Sequence, residues 1–268
     1  MLKDITLGQY FPGNSFIHRL DPRTKLLALI VYIVVLFCAT WWVSYGLVFV
    51  FLISCIAISG IQPKAFLKGL KTLTFILIFT GLLNLFFTEG ERVIVSIGSV
   101  TITWEGLEKA VMMIARILML ICGTFLLTYT TSPIALTDGL ESLLGPLKVL
   151  KLPVHELSMM MCIALRFIPT LIEETDKIMC AQKARGADFE TGKLLDRVKA
   201  LVPILVPLFI SAFRRADELA TAMECRCYQG GDGRTKMKML HFSRVDILCL
   251  PVVAVLVVGI FVLRHFGL

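Results

Sequence analysis

Charged residues are scarce in this sequence. Of its 268 residues, 18% are Asp, Glu, Lys or Arg, whereas a typical soluble domain has roughly 25%. Residues 26–60 carry no charge at all, and residues 72–88 form another uncharged run. Hydrophobic residues make up 57% of the chain, against about 45–50% in a soluble domain. This shortage of charge excludes an ordinary soluble domain and predicts an all-α protein that crosses a membrane several times.

The sequence also lacks a phosphate-binding loop of the type found in ATP-hydrolysing enzymes. The segment GGDGRT, residues 230–235, has no lysine to reach a phosphate. Eight cysteines are present, but there is no Cys-x-x-Cys pair or histidine cluster of the kind that binds zinc. We therefore expect no catalytic, cofactor-binding or metal-ligating residue, and no ATP hydrolysis by this chain.

Charged residues are also rare within the segments predicted to cross the membrane. This scarcity helps to decide whether the chain could be an ion-driven carrier. Arg116 is nearly the only charge within the apolar segments, and Asn84 is a further polar residue there. Carriers driven by protons or sodium usually place more carboxylates along their pathway. The scarcity of such residues disfavours a self-sufficient secondary transporter. We keep this function only as the alternative.

Two further classes of function are disfavoured. An intramembrane enzyme would have to use His155, Glu156, Glu173 and Glu174. Their spacing forms neither a metal-ligand pair nor a nucleophile with its base. Binding to nucleic acid is not indicated either, because acidic residues nearly balance basic ones in the most charged segment, 132–243.

Five transmembrane helices are predicted, at about 26–42, 44–60, 72–88, 107–131 and 245–264. The loop at 89–106 alternates apolar and polar residues and predicts a short β-hairpin or a surface segment. Lys and Arg are enriched in residues 1–25 and in the 61–71 loop, but not at 89–106. The positive-inside rule then places residues 1–25 and 132–243 in the cytoplasm. Arg19, Arg23 and Lys25 are interpreted as anchors at anionic lipid headgroups.

The segment 132–243 is predicted to form a cytoplasmic domain of three long amphipathic helices, near 133–149, 154–184 and 196–225. Thr131 or Ser132 can cap the first helix, and Pro133 suits its first turn. Pro203 and Pro207 are expected to kink or break the third helix. Residues 244–268 then contain the fifth span and the C-terminus.

Two similar arginine-containing segments lie 41 positions apart, at the ends of the second and third of these helices. We call Ala184, Arg185 and Gly186 the first tip, and Cys225, Arg226 and Cys227 the second tip. A helix C-terminus favours a cation, and a guanidinium can bind a carboxylate through two parallel hydrogen bonds. The repetition predicts two similar binding partners.

Three segments carry a resemblance to a known family: HRLDPRTKLLALI at 18–30, QKARGADF at 182–189 and AMECRCYQGGDGRT at 222–235. In their order along the chain they resemble the transmembrane T subunits of energy-coupling factor (ECF) importers, which belong to the ABC importers. The resemblance implies that both tips dock onto two ABC-type ATPase subunits. It also implies a separate membrane-embedded substrate-binding S subunit, with the T subunit as a scaffold that couples ATP hydrolysis to uptake of vitamins or other micronutrients. The first tip matches the family's Ala-Arg-Gly motif in full. The second matches it at Arg226 only, with small cysteines on either side.

Overall fold

The computed structural model describes residues 10–88, 92–97, 100–146, 153–187, 189, 194–231 and 239–266. These residues form two compact units. The bundle unit comprises Gly8–Leu140 and Leu240–Leu268, and the helix-pair unit contains Glu141–Met239. The regular structure of the described residues is helical apart from one two-stranded hairpin, in agreement with the predicted all-α class.

The bundle unit contains five long helices, whose bounds are α1 Pro22–Cys38, α2 Trp42–Ser59, α3 Pro63–Phe87, α4 Trp104–Thr130 and α8 Arg244–His265. Each matches a predicted span, although α1 begins four residues earlier than expected and α3 nine residues earlier. Proline explains both early starts: Pro22 and Pro63 occupy first-turn positions, where their missing N–H groups have no helical partner to lose.

Between α3 and α4 the chain forms an antiparallel hairpin of β1 Val93–Ile97 and β2 Val100–Thr103. This confirms the β-hairpin predicted from the alternating pattern of residues 89–106. Thr103 then caps α4, because its hydroxyl accepts a hydrogen bond from the backbone N–H of Gly106.

The core of the bundle unit is an apolar cluster contributed by α1, α2, α4 and α8. Its most buried side chains include Leu36 of α1, Val48 of α2 and Ile260 of α8. Helix α3 packs against α4 at two of its glycines, Gly69 and Gly81. An added Cβ at Gly69 would lie 2.5 Å from the ring of Phe125. Small residues at such contacts are typical of membrane helices, because they let two backbones approach closely.

The outer surface of the bundle unit is strongly apolar, which suits contact with lipid. Phe75 and Phe87 of α3 are 78% and 82% exposed, and Val255 of α8 is 71% exposed. Polar backbone in these helices is satisfied internally, as a bilayer requires.

A buried polar network joins the first turn of α1 to the start of α8. Asp246 is 1% exposed, and its carboxylate accepts hydrogen bonds from the backbone N–H groups of Asp21, at 2.8 Å, and Ser243, at 2.7 Å. Asp21 in turn caps α1 by accepting from the N–H of Arg23 at 2.9 Å. These contacts hold the N-termini of α1 and α8 at the same end of the bundle.

Lys25 ties the C-terminus of α4 to that same end. Its ammonium donates to the Thr130 carbonyl oxygen at 2.9 Å and to the Thr131 hydroxyl at 3.1 Å. Because Lys25 is only 7% exposed, the interpretation of this residue as a lipid-headgroup anchor is wrong. The guanidinium of Arg23 lies over the ring of Phe242, 5.7 Å from its centroid, whereas Arg19 is exposed.

The helix-pair unit is built from α6 Val154–Ala184 and α7 Leu194–Cys225, which pack against each other. Helix α5, Pro133–Leu143, leads into this unit and is shorter than the predicted 133–149. It ends ahead of Gly145 and Pro146, the two residue types that are least favourable inside an α-helix. Ser132 is its cap, since the hydroxyl accepts from the N–H of Ala135 at 3.3 Å. Residues 147–149 lie outside the described residues.

Proline does not interrupt the two long helices of this unit. Of the two expected effects of Pro203 and Pro207, a kink or a break, the structure excludes the break, because helix α7 continues through both residues. Helix α6 likewise contains Pro169. Each internal proline removes one backbone hydrogen bond and costs about 3 kcal/mol in an ordinary helix, which packing must offset.

Five described helices are long and apolar enough to cross a membrane: α2, α3, α4, α6 and α8. The number agrees with the prediction, but the set differs. Helix α1 has 17 residues and falls just below the length of a candidate span, whereas α6 qualifies by its length and the apolar composition of part of it.

Replacing Asp246 by alanine should destabilise the bundle unit. The change leaves two buried N–H donors, those of Asp21 and Ser243, without an acceptor, at a cost of about 1–3 kcal/mol each. We expect a drop of several degrees in the thermal midpoint of the purified protein in detergent, and a smaller drop for Asp246→Asn. Asp217→Ala removes an exposed carboxylate and is the matched control. Equal midpoints for the two alanine variants would contradict this role.

Candidate functional site

The first tip is a complete helix-terminating motif. The N–H of Ala187 donates to the Gln182 carbonyl oxygen at 3.0 Å, and the N–H of Gly186 donates to that of Lys183 at 3.0 Å. This pair of bonds defines a Schellman motif, in which Arg185 is the C-cap and Gly186 the following residue. Gly186 has φ +88°, in the left-handed region where glycine is unstrained.

The second tip has the same motif, residue for residue. The N–H of Tyr228 donates to the Met223 carbonyl oxygen at 3.0 Å, and the N–H of Cys227 donates to that of Glu224 at 2.8 Å. Arg226 is therefore the C-cap of α7, as Arg185 is of α6. The sequence predicted two similar arginine tips, and the structure gives both arginines the same position in the same backbone motif.

Cys227 is the strained member of this pair of motifs. Its φ is +55°, and it is the sole described non-glycine residue with positive φ. A side chain in this conformation costs about 1–2 kcal/mol, because Cβ approaches the carbonyl oxygen. The cap geometry therefore persists at the second tip although a cysteine occupies the position that glycine fills at the first tip.

All six tip residues are exposed, namely Ala184, Arg185, Gly186, Cys225, Arg226 and Cys227. Neither guanidinium contacts a carboxylate within the described part of the chain. A Cβ added at Gly186 would meet nothing within 4 Å. Each tip thus presents one cation beside small residues, at a helix end whose carbonyl groups carry partial negative charge. Such a protrusion fits a groove that offers a carboxylate.

A polar contact joins α6 and α7 at a point that precedes both tips along their helices. Glu174 accepts from the Ser211 hydroxyl at 2.5 Å and pairs with the Arg215 guanidinium at 3.1 Å. The Ser211 hydrogen bond is the main cause of a lowered pKa at Glu174, which lies in the charged half of α6. Sequence reasoning missed this pair, although Glu174 and Arg215 are also 41 positions apart, like the tips.

Four of the other residues singled out in the sequence, His155, Glu174, Arg116 and Asn84, have structural partners. His155 Nδ1 lies 3.1 Å from the Glu141 carboxylate, and Glu174 is engaged by α7. Arg116 donates to the Ala39 carbonyl oxygen at 3.1 Å, and Asn84 donates to the Thr80 carbonyl oxygen at 3.0 Å. Among the described residues, no group of three or more His, Cys, Asp or Glu side chains is arranged to hold a metal ion.

Comparison with known proteins gives a consistent result. The model of the family CbiQ, described as cobalt transport protein, matches residues 13–237. An energy-coupling factor transporter transmembrane protein EcfT from Ruminiclostridium cellulolyticum is 51% identical over 265 residues, which cover 99% of each chain. That of Thermosediminibacter oceani is 55% identical over 258 residues, 96% of this chain and 97% of its own. That of Bacillus subtilis is 48% identical over 264 residues, 98% of this chain and 100% of its own.

Substituting the residue after each C-cap should change the stability of the two tips in opposite directions. Cys227→Gly relieves the left-handed strain and should stabilise the second tip by about 1 kcal/mol, whereas Gly186→Ala introduces that strain at the first. Hydrogen exchange should slow roughly fivefold at amides 227 and 228 in the former variant and accelerate similarly at amides 186 and 187 in the latter. Gly145→Ala, where an added Cβ meets open space, is the control. Unchanged exchange in both tips would disprove the strain argument.

Proposed function

The chain belongs to the EcfT family of energy-coupling factor transporter transmembrane proteins, and we propose from this that its two tips bind two ATP-hydrolysing subunits. As a member of that family it is a multi-pass membrane protein and the coupling subunit of a transporter complex. The finer assignments that follow concern its partners, its orientation and its division of labour with them.

The observation that carries the proposal is the identity of the two caps. Arg185 and Arg226 occupy the same C-cap position, with the same two backbone hydrogen bonds beneath each, and both are exposed. Two equivalent cationic protrusions suit two equivalent acidic grooves, as a pair of ATPase subunits would offer. A guanidinium in such a groove gains more than an ammonium would, because its planar fork matches a carboxylate.

Each tip also lies at the same distance from the contact between the helices. Arg185 is eleven residues beyond Glu174, and Arg226 is eleven residues beyond Arg215. Eleven residues of helix span about 16 Å. Equal lengths of helix beyond a shared contact would carry the closure of two ATPase subunits symmetrically into the helix pair.

An exposed apolar face on α7 supports a second partner, a separate membrane-embedded substrate-binding subunit. Its side chains are 45–68% exposed and recur at helical spacing: Leu201, Val202, Leu205, Val206, Phe209, Ile210 and Phe213. A continuous apolar face of this length marks an interaction surface or a membrane contact. We assign it to contact with the substrate-binding subunit and the membrane, through which movement of the tips would reach the substrate.

The bundle geometry supports a cytoplasmic location for the helix-pair unit. Helix α4 ends, and α1 and α8 begin, at one end of the bundle. An even number of crossings must therefore separate α4 from α8. Among the described residues between them only α6 is a candidate span, which favours no crossing. Helix α3 also starts at this end, since Tyr129 donates to the Ala65 carbonyl oxygen at 3.4 Å. The lysines of residues 61–71 then mark this end as cytoplasmic.

In this assignment the chain transmits force and its partners hydrolyse ATP. The sequence has no phosphate-binding loop, so turnover would reside in the two ATPase subunits. Arg116 and Asn84, the polar groups within the spans, are engaged in structural contacts, as are His155 and Glu174 among the residues that an intramembrane enzyme would use. Neither alternative gains support from a specific contact.

Reversing the charge of both tip arginines should abolish docking of the ATPase subunits. Removing one partner of a desolvated charge pair costs several kcal/mol, so Arg185→Glu and Arg226→Glu should each weaken docking, and the double change should eliminate complex formation and uptake. Lysine at either position should restore docking in part. The measurement is co-purification of ATPase subunits with the membrane complex, alongside substrate uptake in cells.

Arg166→Glu is the matched control for these variants, because Arg166 is an exposed arginine of α6 away from both tips. It should leave assembly and uptake unchanged. The double variant should still insert in the membrane, since both tips are exposed and distant in sequence from the spans. A double variant that assembles and transports like the parent would refute the docking role.

Membrane orientation can be tested with a thiol reagent that does not cross the membrane. A cysteine introduced at Ser96 in the hairpin should react in intact cells. A cysteine at Thr191, and the exposed native Cys180, Cys225 and Cys227, should react only after permeabilisation. Peptide mapping by mass spectrometry separates the sites. The reverse pattern would overturn the cytoplasmic placement of the tips.

A further inference from the structure

We propose that the bundle unit holds one acyl chain of a phospholipid in a cavity between α2 and α8. The cavity has a volume of about 320 Å³ and is lined by α1, α2, α4, α8 and residues just before α1. That volume is at the lower end of the range for ligand pockets, so it admits part of a lipid rather than a whole one.

The cavity has an open side and a closed end. Ile58 at the end of α2 and Leu248 and Val252 at the start of α8 are 54%, 60% and 53% exposed. At its other end, Tyr32 and Leu256 are 6% and 4% exposed. The opening is therefore on the apolar outer surface, near the end of the bundle where α1 and α8 begin.

The shape is that of a slot parallel to the helices. Its lining on α8 runs from Leu248 to Leu256, and its lining on α1 from Lys25 to Tyr32. These stretches correspond to about 12 Å and about 10 Å along the helix axes. An extended hydrocarbon chain entering beside Ile58 fits such a slot, whereas a second helix, about 10 Å across, does not.

The hydrogen-bond donors of the lysine, tyrosine and threonine side chains in the lining are already engaged within the protein. Lys25 donates to the Thr130 carbonyl oxygen and the Thr131 hydroxyl, and the Tyr32 hydroxyl donates to the Met119 carbonyl oxygen at 3.0 Å. The Thr130 hydroxyl donates to the Leu126 carbonyl oxygen at 2.8 Å. The rest of the lining is apolar or cysteine. Such a space offers few partners to water, and an apolar cavity takes up hydrocarbon instead.

The surrounding medium supplies that hydrocarbon. The side chains at the opening are continuous with the exposed apolar faces of α2 and α8, which contact lipid in a multi-pass membrane protein. An acyl chain of the adjacent leaflet can therefore enter sideways, with its headgroup remaining at the membrane surface. Filling the slot restores dispersion contacts that its lining would otherwise lose.

The experiment fills the slot with a phenylalanine side chain and measures how many phospholipids remain bound to the purified protein. Ala28 lines it from α1, so Ala28→Phe should exclude the chain, and Val253→Phe should do so independently from α8. Ala254→Phe adds the same ring at an exposed position outside the lining and is the control. The variants are purified from vesicles of palmitoyl-oleoyl phosphatidylglycerol and phosphatidylethanolamine, then stripped of loosely bound lipid and weighed by native mass spectrometry.

We expect one retained phospholipid on the parent and on Ala254→Phe, and none on either cavity-filled variant. The folded state of each variant is checked by its helical circular dichroism and its elution as a single species. Retention of the same lipid by a folded cavity-filled variant would overturn the proposal, as would a parent that retains none. The proposal would also fail if filling the slot displaced a co-purifying membrane subunit and left lipid retention unchanged, because the occupant would then be a side chain of that subunit.

Discussion

The carboxylate of Asp246 binds the backbone of two helix starts at once, and the arrangement of the bundle depends on it. One oxygen accepts from the N–H of Asp21 at the cap of α1, and the other accepts from the N–H of Ser243 at the cap of α8. Lys25, one turn into α1, adds the C-terminal carbonyl of α4 to the same buried network. Donors and acceptors at such depth must be paired, because an unpaired one costs as much as several good contacts gain. The network therefore fixes which helix ends lie together.

The two tips show how a backbone motif can be kept while its sequence changes. At the first tip Gly186 takes a left-handed conformation without strain, and at the second tip Cys227 takes it with strain. The hydrogen bonds beneath the two arginines are nevertheless the same. What the two ends have in common is an exposed arginine at the C-cap position of the same backbone motif. A partner that recognises the cap and its cation would accept both, because the residues beside the arginine are small in each case.

The sequence predicted the class of fold, the hairpin and the two tips, since each depends on local or compositional signals. Uncharged runs such as 26–60 indicate spans whatever their neighbours are, and alternation at 89–106 indicates strands. The errors occurred where distant residues decide. Lys25 was interpreted as a surface anchor because its partners, Thr130 and Thr131, are more than a hundred positions away. The sequence also left open whether Pro203 kinks or breaks α7, and the helix is not broken there because tertiary packing overrides a local preference.

The contact between Asp21 and Asp246 also governs when the protein can be completed during its synthesis. These residues are 225 positions apart in the chain. At about 5–20 residues per second, a ribosome needs roughly 10 to 45 seconds to pass from one to the other. Throughout that interval the backbone N–H of Asp21 lacks its acceptor. The acceptor is the carboxylate of Asp246, which lies in the last helix to be synthesised. A chain interrupted before α8 would leave the backbone N–H of Asp21 without the carboxylate that accepts from it in the complete bundle.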